Sequence, residues 1–253
     1  MKESLRGKKI LVTGATSGLG LKVWQFLLDC EAIVIVAGRD AHRYQVTRNA
    51  MRKGNDSCFA ASSFIFIDYL KGTESWGLSD LGDIKLDGFI NCAGVLNICP
   101  LRVVDCESIE SVMRVNLLGP IELVRQLLKN QLMNPASSIV LVASINGSVG
   151  AIGHTVYAAS KAGITGFAKS LALELAPQKS RVNTVSPGTF QTGMASTTEF
   201  FQSIEQSEQY KRRYPLGLGS TADIATVIGF LMSDYSSWVT GQDIKVDGGF
   251  SIA

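Results

Sequence analysis

Short apolar runs without strict alternation recur along the chain, each parted from the next by turn residues or by a stretch with helical spacing. Ile10 to Val12 lead into the glycine-rich stretch TGATSGLG, after which LKVWQFLLDC places Val23, Phe26 and Leu27 on one helical face. IVIVA (33–37), FIFI (64–67), GFINCAG (88–94), SIVLVAS (138–144) and RVNTVSPG (181–188) repeat the strand pattern. Runs that are β-branched and apolar at nearly every position suit parallel strands buried on both faces. Helices are expected near 107–130 and 156–176, and WVTGQDIKVDGGF supplies one last strand. The alternation predicts an α/β fold, a doubly wound parallel sheet flanked by helices on both faces. No Pro/Gly/Ser linker, internal repeat or low-complexity segment divides the chain, so one domain over 1–253 is expected. Thr192 to Gly219 is polar and weakly periodic. Within it EFFQSIEQSEQYKRRY reads as one or two short helices, and an insertion of this kind beside a site is a candidate lid at about 192–219.

Composition narrows the picture. The 253 residues are 46% hydrophobic and 18% charged, which gives a globular chain with a sizeable core. A net charge of +2 makes no electrostatic case for nucleic acid or an anionic membrane. No apolar run approaches the roughly 20 residues that span a bilayer, and MKESLRGKKI carries no apolar signal region. A cytoplasmic protein with a small-molecule partner is the expectation. The five cysteines are odd in number, scattered and without CxxC spacing, so they suggest neither a disulfide framework nor a zinc site.

Candidate chemistry begins with Tyr157 and Lys161. A spacing of four puts both on one helical face, and a cation beside a phenol favours the phenolate, whose ordinary pKa is about 10. Such a pair taken alone also describes a packed ring beside a surface charge. TGATSGLG sets Gly14, Gly18 and Gly20 between a strand and a helix, where a pyrophosphate meets backbone N–H groups at the helix start. The second strand ends in AGRD, so Arg39 stands where an acidic residue would bind free ribose hydroxyls; a guanidinium there fits a 2′-phosphate, or is a solvated loop charge. Asp68 closes FIFID, placed either to accept from an adenine amino group or to cap a helix. NCAG (91–94) ends its strand in small residues that let a flat ring lie against the backbone. Pro120 lies four residues after Asn116 and has no N–H, which deprives the Asn116 carbonyl of its helical donor.

These motifs, in this order, resemble the short-chain dehydrogenase/reductase family in its single-domain form of about 250 residues. The likeness rests on TGATSGLG, Asp68, NCAG, Asn116 in VNLLG, Ser144 in VASINGS, Tyr157 with Lys161, SPGTFQT and VTGQDIKVDGG. It implies a Rossmann-type fold and a ketone/secondary-alcohol oxidoreductase that prefers NADP(H), with NAD(H) possible. By resemblance, Asn116, Ser144, Tyr157 and Lys161 are catalytic: Ser144 binds the substrate oxygen, Tyr157 exchanges its proton, Lys161 lowers the tyrosine pKa and holds the nicotinamide ribose, and Asn116 holds a water. The cofactor would be bound by Gly14, Thr16, Ser17, Gly18, Leu19, Gly20, Arg39, Asp68, Asn91, Ala93, Gly94, Pro187, Gly188, Thr189 and Thr192, besides Tyr157 and Lys161. Val95, Leu96, Asn146, Val149, Phe190 and Met194 would line an uncharged substrate pocket.

The nearest activity by overall likeness is 3-oxoacyl-(acyl-carrier-protein) reductase, although Leu173 stands where an arginine that docks the carrier is common. A sugar, steroid-like or other small alcohol is the alternative substrate class. A cofactor-binding regulator without turnover is the competing function, yet inactive relatives usually lose the tyrosine or the lysine, and both are kept here. A homodimer or homotetramer is implied through the helices that hold Asn116 and Tyr157. Trp24 and Glu31 depart from the family's small residues, and the stretch between Asp68 and Asn91 is too short and glycine-broken for a full helix.

Overall fold

The computed structural model describes residues 1–52, 62–190 and 208–253. Its seven strands form one parallel sheet in the order β3-β2-β1-β4-β5-β6-β7: β1 Lys9–Thr13, β2 Ile33–Gly38, β3 Ser62–Phe66, β4 Leu86–Asn91, β5 Met133–Val142, β6 Arg181–Pro187 and β7 Asp243–Val246. The order reverses at β1 and β4, and in such sheets ligands bind outside the carboxyl ends of the strands at that reversal. The helices are α1 Lys2–Leu5, α2 Gly18–Asp29, α3 Ala41–Arg52, α4 Cys106–Met113, α5 Gly119–Lys129, α6 Thr155–Leu175, α7 Glu208–Lys211 and α8 Thr221–Met232.

Both faces of the sheet are buried, which is why its strands read as continuous apolar runs. Ile10, Val12, Val34, Val36, Ile90, Val140 and Val185 pack with α2 and α8 on one side. The residues between them, Leu11, Ile35, Phe89, Ile139, Leu141 and Val182, pack with α5 and α6 on the other. A two-residue period thus feeds two cores from the strands inside the sheet, while the edge strand β7 faces one core through Ile244 and Val246.

Two helices escape the periodicity argument. α3 is polar almost throughout and buries Tyr44, which stacks on Trp24 at 5.5 Å and meets Phe64 at 5.1 Å. α8 is apolar nearly all round, so it shows no stripe, and its start is set by a capping box between Ser220 and Asp223. Trp24 is therefore a core ring joining α2, α3 and β3. Glu31 sits at φ 60° with its carboxylate paired to Lys2 and Arg6. Between β3 and β4 there are only two short 3-10 turns, Thr73–Ser75 and Gly77–Leu81, as the glycine-broken sequence predicts. The expected helix near 107–130 is present with one interruption: α4 and α5 are joined by a π-helical turn, Arg114–Leu118. Among the described residues Cys30, Cys92, Cys99 and Cys106 are free thiols, no helix is long and apolar enough to cross a membrane, and no acidic, His or Cys group could hold a metal. Most of the predicted lid lies outside the described residues; α7 is the part of it seen as helix.

Candidate active site

The turn from β1 into α2 is shaped by two glycines that accept no side chain. Gly14 has φ +67°, and a Cβ on it would come within 2.7 Å of the Ala93 backbone; a Cβ on Gly20 would collide with the Gly14 carbonyl. Gly18, at φ +52°, faces open space instead. Ser17 is the N-cap of α2 and makes no side-chain capping bond, and Leu19 is buried beneath the turn. The first turn of α2 thus presents unpaired N–H groups to an open hollow, an arrangement that fits a phosphate. The glycine cradle, free helix start and open space suit the expected dinucleotide.

At the end of β2, Arg39 is exposed and has no ion-pair or hydrogen-bond partner among the described residues. The adjacent acid is otherwise engaged: Asp40 Oδ1 accepts from the Arg43 N–H at 2.8 Å and caps α3. Asp68 accepts from the Leu70 N–H at 3.0 Å within a turn, not at a helix start. Asn91 is buried, and its side chain is used up inside the protein. Oδ1 accepts from Thr13 Oγ1 (2.7 Å) and Tyr69 Oη (2.9 Å), and Nδ2 donates to the Ala93 carbonyl at 3.3 Å. Its amide therefore fixes the β1 and β4 ends against each other.

Asn116, 1% exposed, lies in the π-helical turn. Its amide clasps the Val95 backbone, Oδ1 accepting from the N–H at 2.8 Å and Nδ2 donating to the carbonyl at 2.9 Å, with a further bond from Nδ2 to Ser160 Oγ at 3.1 Å. Gly94 is the reason it fits: a Cβ there would lie 3.3 Å from Asn116 Oδ1 and 3.4 Å from Lys161 Nζ. Lys161, 4% exposed, donates from Nζ to the Val142 carbonyl at 2.8 Å. Ser144 opens the 3-10 turn Ile145–Gly147, its Oγ accepting from the Asn146 N–H at 3.2 Å. That turn lies against α6, for a Cβ on Gly147 would come within 3.0 Å of the Ala162 nitrogen. Packing of turn on helix sets the Ser144 hydroxyl near enough to the Tyr157 phenol to favour its ionised form.

The electrostatics differ from the sequence expectation that Lys161 draws the phenol down. Burial pushes the Tyr157 pKa up, with the Ser144 hydrogen bond pulling the other way. Lys161 Nζ lies 5.8 Å from the ring centroid and is itself pushed down to about 8 by burial. Both groups lean toward their neutral forms because desolvation is the largest influence on each. Cys92, one residue past β4, is pushed up to about 12 by burial, with the Lys161 charge opposing. The thiol and the ammonium sense each other, a coupling that sequence spacing did not reveal.

At the end of β6, Pro187 and the following Gly188 are buried, and the Thr189 N–H donates to Tyr214 Oη at 3.0 Å. Thr192 and Met194 lie outside the described residues. Of the predicted pocket residues, Val95 is exposed and Leu96 and Asn146 are partly buried, whereas Val149 packs on Ile145, Tyr214 and Phe250, and Phe190 packs against the core of α2 and α8. A hollow of about 600 Å³ reaches Ser144 from the side of α6 and β7, lined in part by Gly147, Thr165, Lys169 and Lys245; of the predicted pocket residues that are described, Val95, Leu96, Asn146, Val149 and Phe190, none lines it.

A phenol beside a second hydroxyl, one helical turn from a buried lysine and across the strand ends from a glycine cradle, defines a class: oxidoreductases that act on carbonyl and alcohol groups. Comparison with known proteins narrows that class. Residues 79–251 match the family model described as Enoyl-(Acyl carrier protein) reductase. The 3-oxoacyl-(acyl-carrier-protein) reductase FabG of Aquifex aeolicus is 32% identical, over 98% of this chain and 99% of its own length. That of Thermotoga maritima is 34% identical, again over 98% and 99%. The crystal structure of a short chain dehydrogenase family protein from Francisella tularensis is 26% identical, with a TM-score of 0.80 over 98% of this chain and 100% of that one. The chain belongs to the short-chain dehydrogenase/reductase family.

Proposed function

We propose that the protein is an NADP(H)-dependent reductase of 3-oxoacyl groups carried as thioesters, with Tyr157 as the acid/base. The observation that carries this reading is the Tyr157 phenol set one helical turn from the buried Lys161 ammonium, 5.8 Å from its ring centroid, with the Ser144 hydroxyl beside it favouring its ionised form. Two adjacent O–H groups can both point at one carbonyl oxygen, one to hold it and one to give it a proton. A nicotinamide cofactor supplies the hydride when bound. The rest belongs to this chain's residues. Ser144 orients the oxygen, Tyr157 delivers the proton to it in reduction and removes it in oxidation, and the Lys161 ammonium stabilises the negative charge left on the phenol. Asn116 keeps the 94–95 backbone in place beneath Lys161. Gly14, Gly18, Gly20 and the start of α2 would hold the pyrophosphate, with Pro187, Gly188 and Thr189 at the nicotinamide end.

Preference for the 2′-phosphate rests on Arg39, whose guanidinium is uncommitted while Asp40 is occupied in capping α3. Carrier-bound substrates are supported by the full-length likeness to the Aquifex and Thermotoga reductases. One observation favours a second reading, a small ketone with no carrier. Leu173, 78% exposed on α6, offers a carrier protein no cation where the resemblance leads one to look for arginine. By the same resemblance the protein is a homo-oligomer.

The test is turnover followed by NADPH absorbance with a 3-oxoacyl thioester set against a panel of small ketones and sugars. Faster turnover of the thioester by tenfold or more supports the first reading, and the reverse order selects the second. Arg39→Ala is expected to raise KM for NADPH several-fold and leave KM for NADH within twofold; equal changes would refute the phosphate role.

A further inference from the structure

A small cluster stands apart from the two large cores: Ile145, Tyr214 and Phe250, with Val149, Tyr210 and Leu218 packed on it. It joins three segments remote in sequence, namely the turn that begins at Ser144, the loop after β6, and the tail after β7. Tyr214 is at its centre. The ring is 3% exposed and packs at a tilt of 35° against Phe250, with centroids 4.7 Å apart. Its edge backs Gly188, where a Cβ would lie 3.1 Å from Tyr214 Cε1 and 2.9 Å from Asp247 Cα. The Gly188 backbone is thus held between the ring and the start of the tail. The tail in turn is hooked onto Asp247, whose carboxylate accepts from the N–H groups of Gly249 (3.0 Å) and Ser251 (2.9 Å).

Three hydroxyl-bearing residues close a small ring of hydrogen bonds. Tyr214 Oη accepts from the Thr189 N–H at 3.0 Å, Tyr214 and Tyr210 hydroxyls lie 3.2 Å apart, and Tyr210 Oη lies 2.8 Å from Thr189 Oγ1. A buried hydroxyl proton left without an acceptor is costly, and Tyr210 Oη lies within reach of the Tyr214 hydroxyl. The bond from the Thr189 N–H to Tyr214 Oη is the directed one, and it ties the loop backbone to the buried ring.

We propose that Tyr214 is a positioning residue that fixes the Gly188–Thr189 backbone for the nicotinamide end of the cofactor, with Phe250 holding Tyr214 in place. The inference rests on the dinucleotide reading above and deepens it. Its prediction is specific to one end of the ligand: loosening Tyr214 weakens contacts to the nicotinamide and spares those to the adenosine and pyrophosphate.

The experiment compares binding of NADPH with binding of 2′-phospho-ADP-ribose, which lacks the nicotinamide, to the wild type and to Tyr214→Phe, with NADH and ADP-ribose run in parallel. Tyr214→Phe keeps the ring against Gly188 and Phe250 and removes one hydroxyl. It is expected to weaken the full cofactor about tenfold and the fragment less than twofold, with KM for cofactor rising more than kcat falls. A residue with only a structural role would weaken both ligands alike. If Tyr214→Phe loses its cooperative melt, Phe250→Leu is read in the same way, with an expected loss of about threefold confined to the full cofactor. Equal losses for cofactor and fragment, or no loss for either, overturn the positioning role while the wild type still binds dinucleotide. A wild type that binds neither NADPH nor NADH overturns the dinucleotide reading and this inference with it.

Discussion

Between β1 and α2 the cleft is shaped by atoms that are missing, whereas beneath Tyr157 it is shaped by polar atoms withdrawn from water. Gly14 and Gly20 let the backbone fold back onto itself and onto Ala93 so closely that no Cβ fits. Asn116, Ser160 and Lys161 instead are buried side chains whose bonds, from Asn116 to Val95, from Lys161 to Val142 and between Ser160 and both Asn116 and the Tyr157 carbonyl, replace those they made to solvent. The first region cannot accept an added atom, and the second cannot lose a partner. An added methyl group should thus act mainly on stability and cofactor affinity, and a deleted hydroxyl or charge mainly on the chemical step.

The most severe way to test that contrast is Tyr157→Phe. Removing the proton donor at the catalytic end is expected to lower kcat by about 10³, within the range for general acid catalysis, while NADPH affinity measured by fluorescence stays within twofold. A comparable loss of cofactor affinity would erase the distinction between the two regions. Next in size is Gly20→Ala, which forces a methyl group onto the Gly14 carbonyl. It should cost about 1–3 kcal/mol in denaturant melts and weaken cofactor binding, with the wild-type pH dependence of kcat unchanged.

The smallest effect concerns pH. Burial holds Lys161 at about 8, below the ordinary lysine value, so the ammonium is lost as pH rises through about 8. For ketone reduction kcat/KM is expected to be flat below that point and to fall above it, approaching tenfold per unit. Lys161→Arg, whose guanidinium stays charged, should lack that limb even though its absolute rate is lower. A limb that persists unchanged in Lys161→Arg would assign the titration to another group, with Tyr157 and the coupled Cys92 as the neighbours to examine.

The contrast also explains what could be read from the chain. Glycine spacing in TGATSGLG, the apolar strand runs and the Tyr157/Lys161 interval are local patterns, and each stands in the structure where local physics puts it. What escaped notice depends on contacts between distant residues. The Asn116 clasp on Val95 spans 21 positions and the Thr13 bond to Asn91 spans 78, and no periodicity encodes either. For the same reason Asn91, read as a cofactor ligand, has its side chain committed to Thr13, Tyr69 and Ala93. Lys161 was expected to depress the phenol, but the depth of its burial is a property of the assembled sheet. α3 and α8 were missed because one is nearly all polar and the other nearly all apolar, so neither has a stripe to detect.

The wide turn at Arg114–Leu118 has a consequence best counted in residues per turn. The Gly119 N–H bonds to the Arg114 carbonyl five residues back, so this stretch holds one residue more than an α-helical path would. The chain there behaves like a continuous helix into which a single residue has been inserted, and Asn116, bonded to Val95, sits within that insertion. Deleting one residue from the turn would return the helix to regular pitch and shift the angular phase of one side against the other by about 100°. The straighter helix would carry every functional group of the original and aim Asn116 elsewhere. An alignment that placed a one-residue gap in VNLLG would thus mark a protein whose Lys161 site has lost its brace.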